Sequence, residues 1–128
     1  MLLGTFVTNL IGKNRLVLPS KLRKEISGER IVLSVGFEPC IFGFAEKKWE
    51  EVTASDLSRP LSDQEGRDLR RKMFSNAVVV EIDSHNRFVV PENLIKVPLG
   101  GPITIIGAGD HFEIWEAKKW QKYSEGLK

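Results

Sequence analysis

The stretch LIGKNRLVLPSKL, residues 10–22, decides how this chain folds, because its pattern occurs twice. Residues 82–94 read IDSHNRFVVPENL, so an Asn-Arg pair, a proline and a leucine recur 72 positions later. A second pair of blocks, FGFAEKKW at 42–49 and EIWEAKKW at 113–120, matches at a spacing of 71. Two blocks in the same order at nearly one spacing indicate an internal repeat. We expect a pseudo-symmetric pair in which each copy covers the other's apolar face.

Each copy begins with the pattern of a β-hairpin that leads into a helix. In the first copy, residues 5–10 form a β-rich run, and residues 12–14 favour a turn because Gly and Asn both tolerate positive φ. Residues 15–18 alternate like a short strand, and Pro19 suits the first turn of a helix. The second copy gives the same order of strand, turn, strand and helix start, at 77–82, 84–86, 87–90 and Pro91.

Two more strands and a helix are predicted to complete each copy. In the first copy the strands are residues 31–35 and 40–44, and the following helix places Trp49 and Val52 inward. In the second copy the corresponding features are strands at 103–107 and 112–115 and a helix with Trp120 and Tyr123 inward.

Residues 60–76 separate the two copies and read as a linker helix. Ser62 and Glu65 have the spacing of a capping box, and Leu69 and Met73 form an apolar stripe. We therefore divide the chain into a first module at residues 1–55, a linker helix at 56–76 and a second module at 77–128.

Composition restricts the class of protein. The chain has 128 residues, of which 41% are hydrophobic and 28% charged, as in an ordinary globular protein. Its single cysteine, Cys40, cannot form an internal disulfide, and no Cys/His pattern has zinc-ligand spacing, so we expect no metal and a reducing, intracellular setting. No apolar run approaches the roughly 18 residues of a membrane span, and the first residues lack the basic start of a secretory signal.

Positive charge is concentrated locally, although the formal net charge is only +2. Residues 1–24 have a charge of +5 and no acidic residue, from Lys13, Arg15, Lys21, Arg23 and Lys24. A second basic cluster consists of Arg67, Arg70, Arg71 and Lys72. Clustered cations are what phosphate binding requires, and a solvated basic face is the alternative interpretation.

Arg15 and Arg87 are the strongest candidates for contact with nucleic acid, because each directly follows the turn of its copy. The planar guanidinium fork can bond O6 and N7 of guanine together, and a two-stranded β-ribbon fits the major groove. We predict that these two arginines read base edges in double-stranded DNA.

Four other basic side chains are candidates for phosphate contact. Lys13 and His85 precede the arginines in their turns, and His85 is equally consistent with a plain exposed turn residue. Lys21 and Arg23 are weaker candidates, for which a solvated helix face is at least as good an explanation.

Three segments together resemble the MraZ family of bacterial regulators, which carry two AbrB-like modules in one chain. They are RLVLPSKLR at 15–23, AVVVEID at 77–83 and GAGDHFEIW at 107–115. The resemblance implies an α+β, mostly β fold of two pseudo-symmetric swapped-hairpin β-barrel modules with short flanking helices. It also implies a cytoplasmic, nucleoid-associated homo-oligomeric ring. Such a ring binds short direct repeats in the promoter of the division and cell-wall gene cluster and represses its own operon.

The family's DNA-contacting signature is an aspartate followed four residues later by an arginine. Asp83 and Arg87 fit it, whereas Ile11 stands where the aspartate before Arg15 would be. The glycine that usually precedes the arginine is Asn14 in the first copy and Asn86 in the second. Asparagine also reaches left-handed φ, so we expect both turns to be kept. Because isoleucine cannot hold an arginine as a carboxylate does, the first copy either aims its arginine differently or contributes less to base reading.

Two other classes of function are the alternatives to DNA binding. Neither His85 nor His111 has a nucleophile or metal arrangement, and Gly107–Gly109 starts like a dinucleotide fingerprint without completing it, so we expect no enzyme, cofactor or small-molecule ligand. AbrB-like modules also occur in antitoxins, so a protein-interaction or assembly module without specific DNA reading is the remaining alternative.

Overall fold

The computed structural model describes residues 1–95 and 99–127. These residues form eight strands, four α-helices and one short 3₁₀ turn. The first copy contains β1 Thr5–Thr8, β2 Arg15–Val17, α1 Ser20–Arg23, β3 Arg30–Val35, β4 Ile41–Ala45 and α2 Glu46–Ser58. A connecting helix, α3, spans Gln64–Ser75. The second copy contains β5 Val78–Glu81, β6 Arg87–Val89, the 3₁₀ turn Glu92–Leu94, β7 Ile103–Gly107, β8 Phe112–Glu116 and α4 Ala117–Glu125.

The strands form two antiparallel sheets in which the copies exchange their hairpins. Six strands lie in the order β1-β7-β8-β4-β3-β5, and β2 pairs with β6 in a separate ribbon. The first strand of each copy therefore pairs with the other copy's third strand, and the second strands pair with each other. The α+β class and the swapped hairpins are confirmed. The barrel is not: among the described residues no ladder joins β5 back to β1, so the large sheet is open.

The strand registers confirm that the repeat is structural. At the centre of the ribbon Leu16 pairs with Phe88, its own counterpart 72 positions later. In the large sheet Phe42 pairs with Glu113, its counterpart 71 positions later. A pseudo-twofold axis passes through both pairs, so each copy presents the same elements on the same sides.

One core lies between the large sheet and the β2–β6 ribbon. Leu16 is fully buried and Phe88 is 2% exposed, because the inward side of each short strand faces the sheet. The residues that follow the ribbon strands are buried at matching positions in both copies, namely Leu18, Leu22, Val90 and Leu94. Both copies supply this core in equal measure, so neither copy buries its own apolar side alone.

A second core lies on the opposite face of the sheet, under the helices. Its members come from the sheet and from α2 and α3, and include Val32, Phe42, Phe44, Trp49, Met73 and Trp115. Trp49 is inward as predicted, but Val52 is 36% exposed, and the prediction that it faces inward is wrong. Thr53 is buried instead, one turn after Trp49, and its hydroxyl donates to the carbonyl oxygen of Trp49 at 2.7 Å.

The helix α4 of the second copy is less buried than α2, its counterpart in the first copy. No residue of α4 is fully buried: Trp120 is half-buried, and Tyr123 is 43% exposed, so the inward prediction is wrong for the tyrosine. Both rings still pack on Trp115, with centroids 5.3 and 5.1 Å away.

The connection between the copies differs from the predicted single linker helix. The helix α2 continues to Ser58, and α3 begins only at Gln64, with Asp63 rather than Ser62 in the capping position. The predicted capping box is therefore wrong, because the helix starts one residue later than its spacing requires. Nε of Arg59 donates to the Asp63 carboxylate at 2.8 Å and holds this turn.

Candidate nucleic-acid interface

The hairpin turns of the two copies have the same backbone shape. Asn14 and Asn86 both have a φ of 62°, the left-handed conformation that asparagine tolerates better than most residues. In the first turn the backbone amide of Ile11 donates to Arg15 at 2.7 Å, and in the second that of Asp83 donates to Arg87 at 2.9 Å. Asparagine in place of glycine thus keeps both turns.

Each turn accepts a backbone hydrogen bond from the other copy. The backbone amide of Leu18 donates to the carbonyl of Asn86 at 2.7 Å, and that of Val90 donates to the carbonyl of Asn14 at 2.8 Å. These bonds extend the β2–β6 ribbon at both ends. As a result the turns and the residues that follow them form one continuous surface made by both copies.

Arg15 and Arg87 lie on the same outer face of this ribbon. Arg15 pairs with Val89, and Val17 pairs with Arg87, on either side of the buried central pair. Because side chains alternate along a strand, all four of these side chains point away from the core. The arginines are diagonal neighbours, which lie roughly 7–8 Å apart in an antiparallel pair, with their Cβ atoms somewhat closer.

Asp83 orients Arg87 in the second copy. Its Oδ1 accepts the backbone amides of Arg87 at 2.9 Å and His85 at 2.8 Å, and its Oδ2 accepts Nε of Arg87 at 2.9 Å. The bond from the Arg87 amide is the main cause that lowers the pKa of Asp83 to about 2, with smaller contributions from the His85 amide and the guanidinium. The carboxylate is therefore ionised at neutral pH and holds the guanidinium by one edge.

The first copy lacks this arrangement. Ile11 occupies the position of Asp83 and is 52% exposed, and its side chain has no atom that could accept from a guanidinium. Within residues 1–95 and 99–127, the guanidinium of Arg15 has no hydrogen-bond or ion-pair partner. The two arginines thus share a face but differ in how firmly they are held.

The remaining candidates surround the ribbon to different degrees. Lys13 and His85 are exposed at the tips of the turns, and Lys21 is exposed on α1. Arg23 is partly buried, and its Nη1 donates to the carbonyl oxygen of Ile26 at 2.9 Å. Arg23 therefore helps to end α1, which lowers its availability for a phosphate.

The second basic cluster has structural contacts of its own. Arg70 donates from Nη2 to the carbonyls of Leu57 at 2.7 Å and Arg59 at 3.0 Å, at the end of α2. Arg67 likewise donates to Leu61 at 2.7 Å. These guanidinium groups stabilise the connection between α2 and α3, on the side of the sheet opposite the ribbon.

Groups that could support chemistry or metal binding are few in the part of the chain that the structure describes. No set of three or more His, Cys, Asp or Glu side chains there is arranged around a possible metal ion. Cys40 is buried, and burial raises the pKa of its thiol to about 12, so it stays protonated. No helix in residues 1–95 and 99–127 is long and apolar enough to cross a membrane.

Val17 and Val89 were missed as site residues in the sequence. They lie on the outer ribbon face beside the arginines, and Val89 is 46% exposed. The alternation in RLV and RFV, residues 15–17 and 87–89, is the signal that could have revealed them.

Comparison with known proteins agrees with the duplicated architecture. The family model described as "MraZ protein, putative antitoxin-like" matches twice, at residues 1–72 and 73–128. The chain belongs to the MraZ family. Relatives named transcriptional regulator MraZ include one from Roseiflexus castenholzii, 36% identical over 122 residues, which cover 94% of this chain and 85% of the relative. Another, from Mycoplasmoides gallisepticum, is 36% identical over 126 residues, covering 98% of this chain and 88% of the relative.

A third relative of the same name, from Roseiflexus sp. strain RS-1, is 35% identical over 122 residues, with the same coverage as the first. All three MraZ proteins are named as regulators of transcription and not as enzymes. The duplicated match and the pseudo-twofold registers describe the same repeat, and the ribbon is where its two halves meet.

Proposed function

We propose that this chain is a sequence-specific transcription regulator that reads double-stranded DNA with the β2–β6 ribbon. The observation that carries the proposal is the register of that ribbon, which brings Arg15 and Arg87 from the two copies onto one exposed face. A two-stranded ribbon has the dimensions of the major groove, where guanine offers two acceptors to one guanidinium.

The two arginines have unequal roles in this proposal. Arg87 is held by Asp83, so less rotamer entropy is lost when its free edge bonds a base. Arg15 must be ordered by the DNA itself. Arg87 is therefore the principal base reader, and Arg15 contributes a weaker contact of the same kind.

Phosphate contacts would position the ribbon in the groove. Lys13 and His85 project from the turns at the two ends of the ribbon, and Lys21 lies on the adjacent α1. Such contacts give affinity without sequence information. The turn asparagines Asn14 and Asn86 serve the interface by bringing these side chains and the arginines to the surface.

The proposal includes what the family resemblance implies. The protein represses transcription as a ring of identical chains, and the ring binds short direct repeats in the promoter of the division and cell-wall genes, including its own operon. Its location is cytoplasmic and nucleoid-associated. Several chains in a ring could engage successive repeats at once, which raises avidity without new contacts. The module boundaries at residues 55 and 76 also stay a prediction.

A protein-interaction or antitoxin-like role is the second candidate, and the Ile11 position favours it. A copy without its aspartate has lost the group that aims an arginine at a base. If both arginines served only general electrostatics, the chain would bind any duplex weakly and would act through assembly.

Fluorescence anisotropy separates the two candidates. The full chain is titrated with a duplex from its own upstream region and with a scrambled duplex, at two salt concentrations, beside Arg87→Ala. We expect a preference for the native duplex that persists at the higher salt, and a loss of that preference in Arg87→Ala equivalent to about 1–3 kcal/mol. The matched control is Arg71→Ala, which removes the same charge from an exposed position on α3.

Equal binding of both duplexes that fades with salt would contradict the proposal. It would mean that the basic groups form only an electrostatic surface.

A further inference from the structure

Two valines share the outer face of the ribbon with the arginines. In each strand the valine stands two residues after the arginine, so Val17 follows Arg15 and Val89 follows Arg87 on the same side. Val89 is 46% exposed, and Val17 is half-buried. Neither belongs to the core between the ribbon and the sheet. The ribbon therefore presents two arginines and two apolar branched side chains to whatever it binds.

The register pairs each valine with the arginine of the other copy. Val89 lies directly opposite Arg15, and Val17 lies directly opposite Arg87. Opposed side chains on one face have Cβ atoms about 4.5–5.5 Å apart. Each arginine thus has an apolar neighbour within reach of the same or the next base pair, since base pairs are stacked about 3.4 Å apart.

A single exposed valine would need no explanation. Here the valines occupy equivalent positions in both copies, flank the proposed base-reading groups and have no apolar partner across the ribbon. A surface that contacts only phosphates gains nothing from apolar groups at its centre. The major-groove edge of an A·T pair, however, carries one apolar group, the 5-methyl of thymine.

We propose that Val17 and Val89 recognise thymine through its 5-methyl group, next to the base that the opposed arginine reads. This inference rests on the proposed function and adds to it the second base type in the recognised element. Val89 contributes more than Val17, because more of its side chain is exposed to a ligand.

Removal of single methyl groups from the DNA tests the proposal. Footprinting first defines the bound element in the upstream region, and each thymine in it is then replaced in turn by deoxyuridine, which lacks only the methyl. We expect at least one replacement to weaken binding of the wild type by about three- to fivefold, the effect of one buried methyl group. The effect of that replacement should be smaller in Val89→Ala if Val89 contacts the methyl, and smaller in Val17→Ala if Val17 does.

Two further variants make the result specific. Val79→Ala removes a valine of similar exposure, 49%, from β5, which lies outside the ribbon, and should keep the full deoxyuridine effect. Val89→Thr keeps the branched shape that favours a strand and shows a reduced effect even if alanine loosens the ribbon. Thermal unfolding of each variant verifies that it is folded.

The outcomes distinguish this inference from the function on which it rests. A native-over-scrambled preference without any deoxyuridine effect, or with an effect that both Val17→Ala and Val89→Ala retain in full, would overturn methyl recognition and leave the regulator. No preference for the native duplex at all would overturn both.

Discussion

Asp83 and Ile11 occupy equivalent positions in the two copies, and the difference between them decides how an arginine is held. The carboxylate of Asp83 accepts from two backbone amides and from the guanidinium at once, whereas the side chain of Ile11 has no acceptor. The backbone of both turns is nevertheless the same, with Asn14 and Asn86 at the same positive φ. The two copies thus differ in whether a carboxylate holds the arginine, while the backbone of the turn is the same.

Restoring the aspartate should therefore sharpen recognition. In Ile11→Asp the new carboxylate can accept from Arg15 as Asp83 does from Arg87, and an exposed ion pair of this kind contributes about 0.2–1 kcal/mol. We expect the ratio of native to scrambled affinity to rise by no more than about fivefold. Absolute affinity at low salt should fall, because a negative charge is added near phosphates.

The matched control is Ile11→Asn, which can accept from the turn amides but cannot form the ion pair. Anisotropy titrations of the three proteins measure the ratio. An unchanged ratio in Ile11→Asp would show that a fixed guanidinium is not what limits the first copy.

At the level of the elements, the ribbon is stable because its inward side is part of a core that both copies build. Phe88 is 2% exposed and packs near Phe112, with ring centroids 6.2 Å apart. Two three-residue strands alone would be marginal in water. Their attachment to the sheet is what makes the outer face rigid enough to present side chains.

Truncation of the central aromatic ring should loosen the whole ribbon. Phe88→Ala is expected to lower the free energy of unfolding by roughly 3–5 kcal/mol, whereas exposed Val79→Ala should change it by no more than about 0.5 kcal/mol. Urea unfolding monitored by circular dichroism measures both. A loss below about 1 kcal/mol in Phe88→Ala would mean that the ribbon is not anchored through this ring.

The sequence predicted the positions of the strands better than it predicted which strands pair. Local signals such as the Asn turns and Pro19 located every strand within a few residues, because they depend on φ preferences and alternation. The pairing of β2 with β6 depends on contacts about 72 residues apart, which no local pattern encodes. The prediction that Val52 faces inward failed because Thr53 takes the buried position instead. The hydroxyl of Thr53 can be buried because it donates to a carbonyl oxygen within the helix.

For the candidate site, the sequence identified the arginines and Asp83 but not their common face. That face follows only from the register, which pairs Arg15 with Val89 rather than with Arg87. The valines were overlooked for the same reason. The backbone contacts of Arg67 and Arg70 were not predictable either, because the carbonyls that they bond are brought near only by the turn between α2 and α3.

At the scale of the whole molecule, a charged cluster joins the two copies on the face opposite the ribbon. The ring of His111, in the second copy, stacks on Phe44 of the first at 5.0 Å. Its nitrogens contact Asp110 at 2.7 Å and Glu113 at 2.8 Å, and Glu113 also accepts from Nε1 of Trp115 at 3.0 Å. Burial disfavours the charged ring, but the bonds to Glu113 and Asp110 outweigh it and raise the pKa of His111.

This cluster should make stability depend on pH. Because the pKa of His111 is higher in the folded than in the unfolded state, its contribution is complete below about pH 6.5 and is lost as the pH rises through the folded-state value. The wild type should exceed His111→Gln in thermal midpoint most at about pH 5.5 and least at about pH 8.5. A difference in thermal midpoint that stays constant across this pH range would contradict the prediction.

The most direct test of base reading by the β2–β6 ribbon is to remove Arg15 and Arg87 together. The preference for the native over the scrambled duplex is measured by anisotropy at the higher salt for Arg15→Ala, Arg87→Ala and the double variant. We expect a moderate loss for Arg15→Ala and a larger one for Arg87→Ala. The double variant should keep no more than the roughly three- to fivefold preference that a methyl contact by a ribbon valine supplies. The control Lys47→Ala/Arg71→Ala, which removes equal charge from exposed helix positions, should keep the ratio. A double arginine variant that prefers the native duplex as strongly as the wild type does would show that the arginines do not read the sequence.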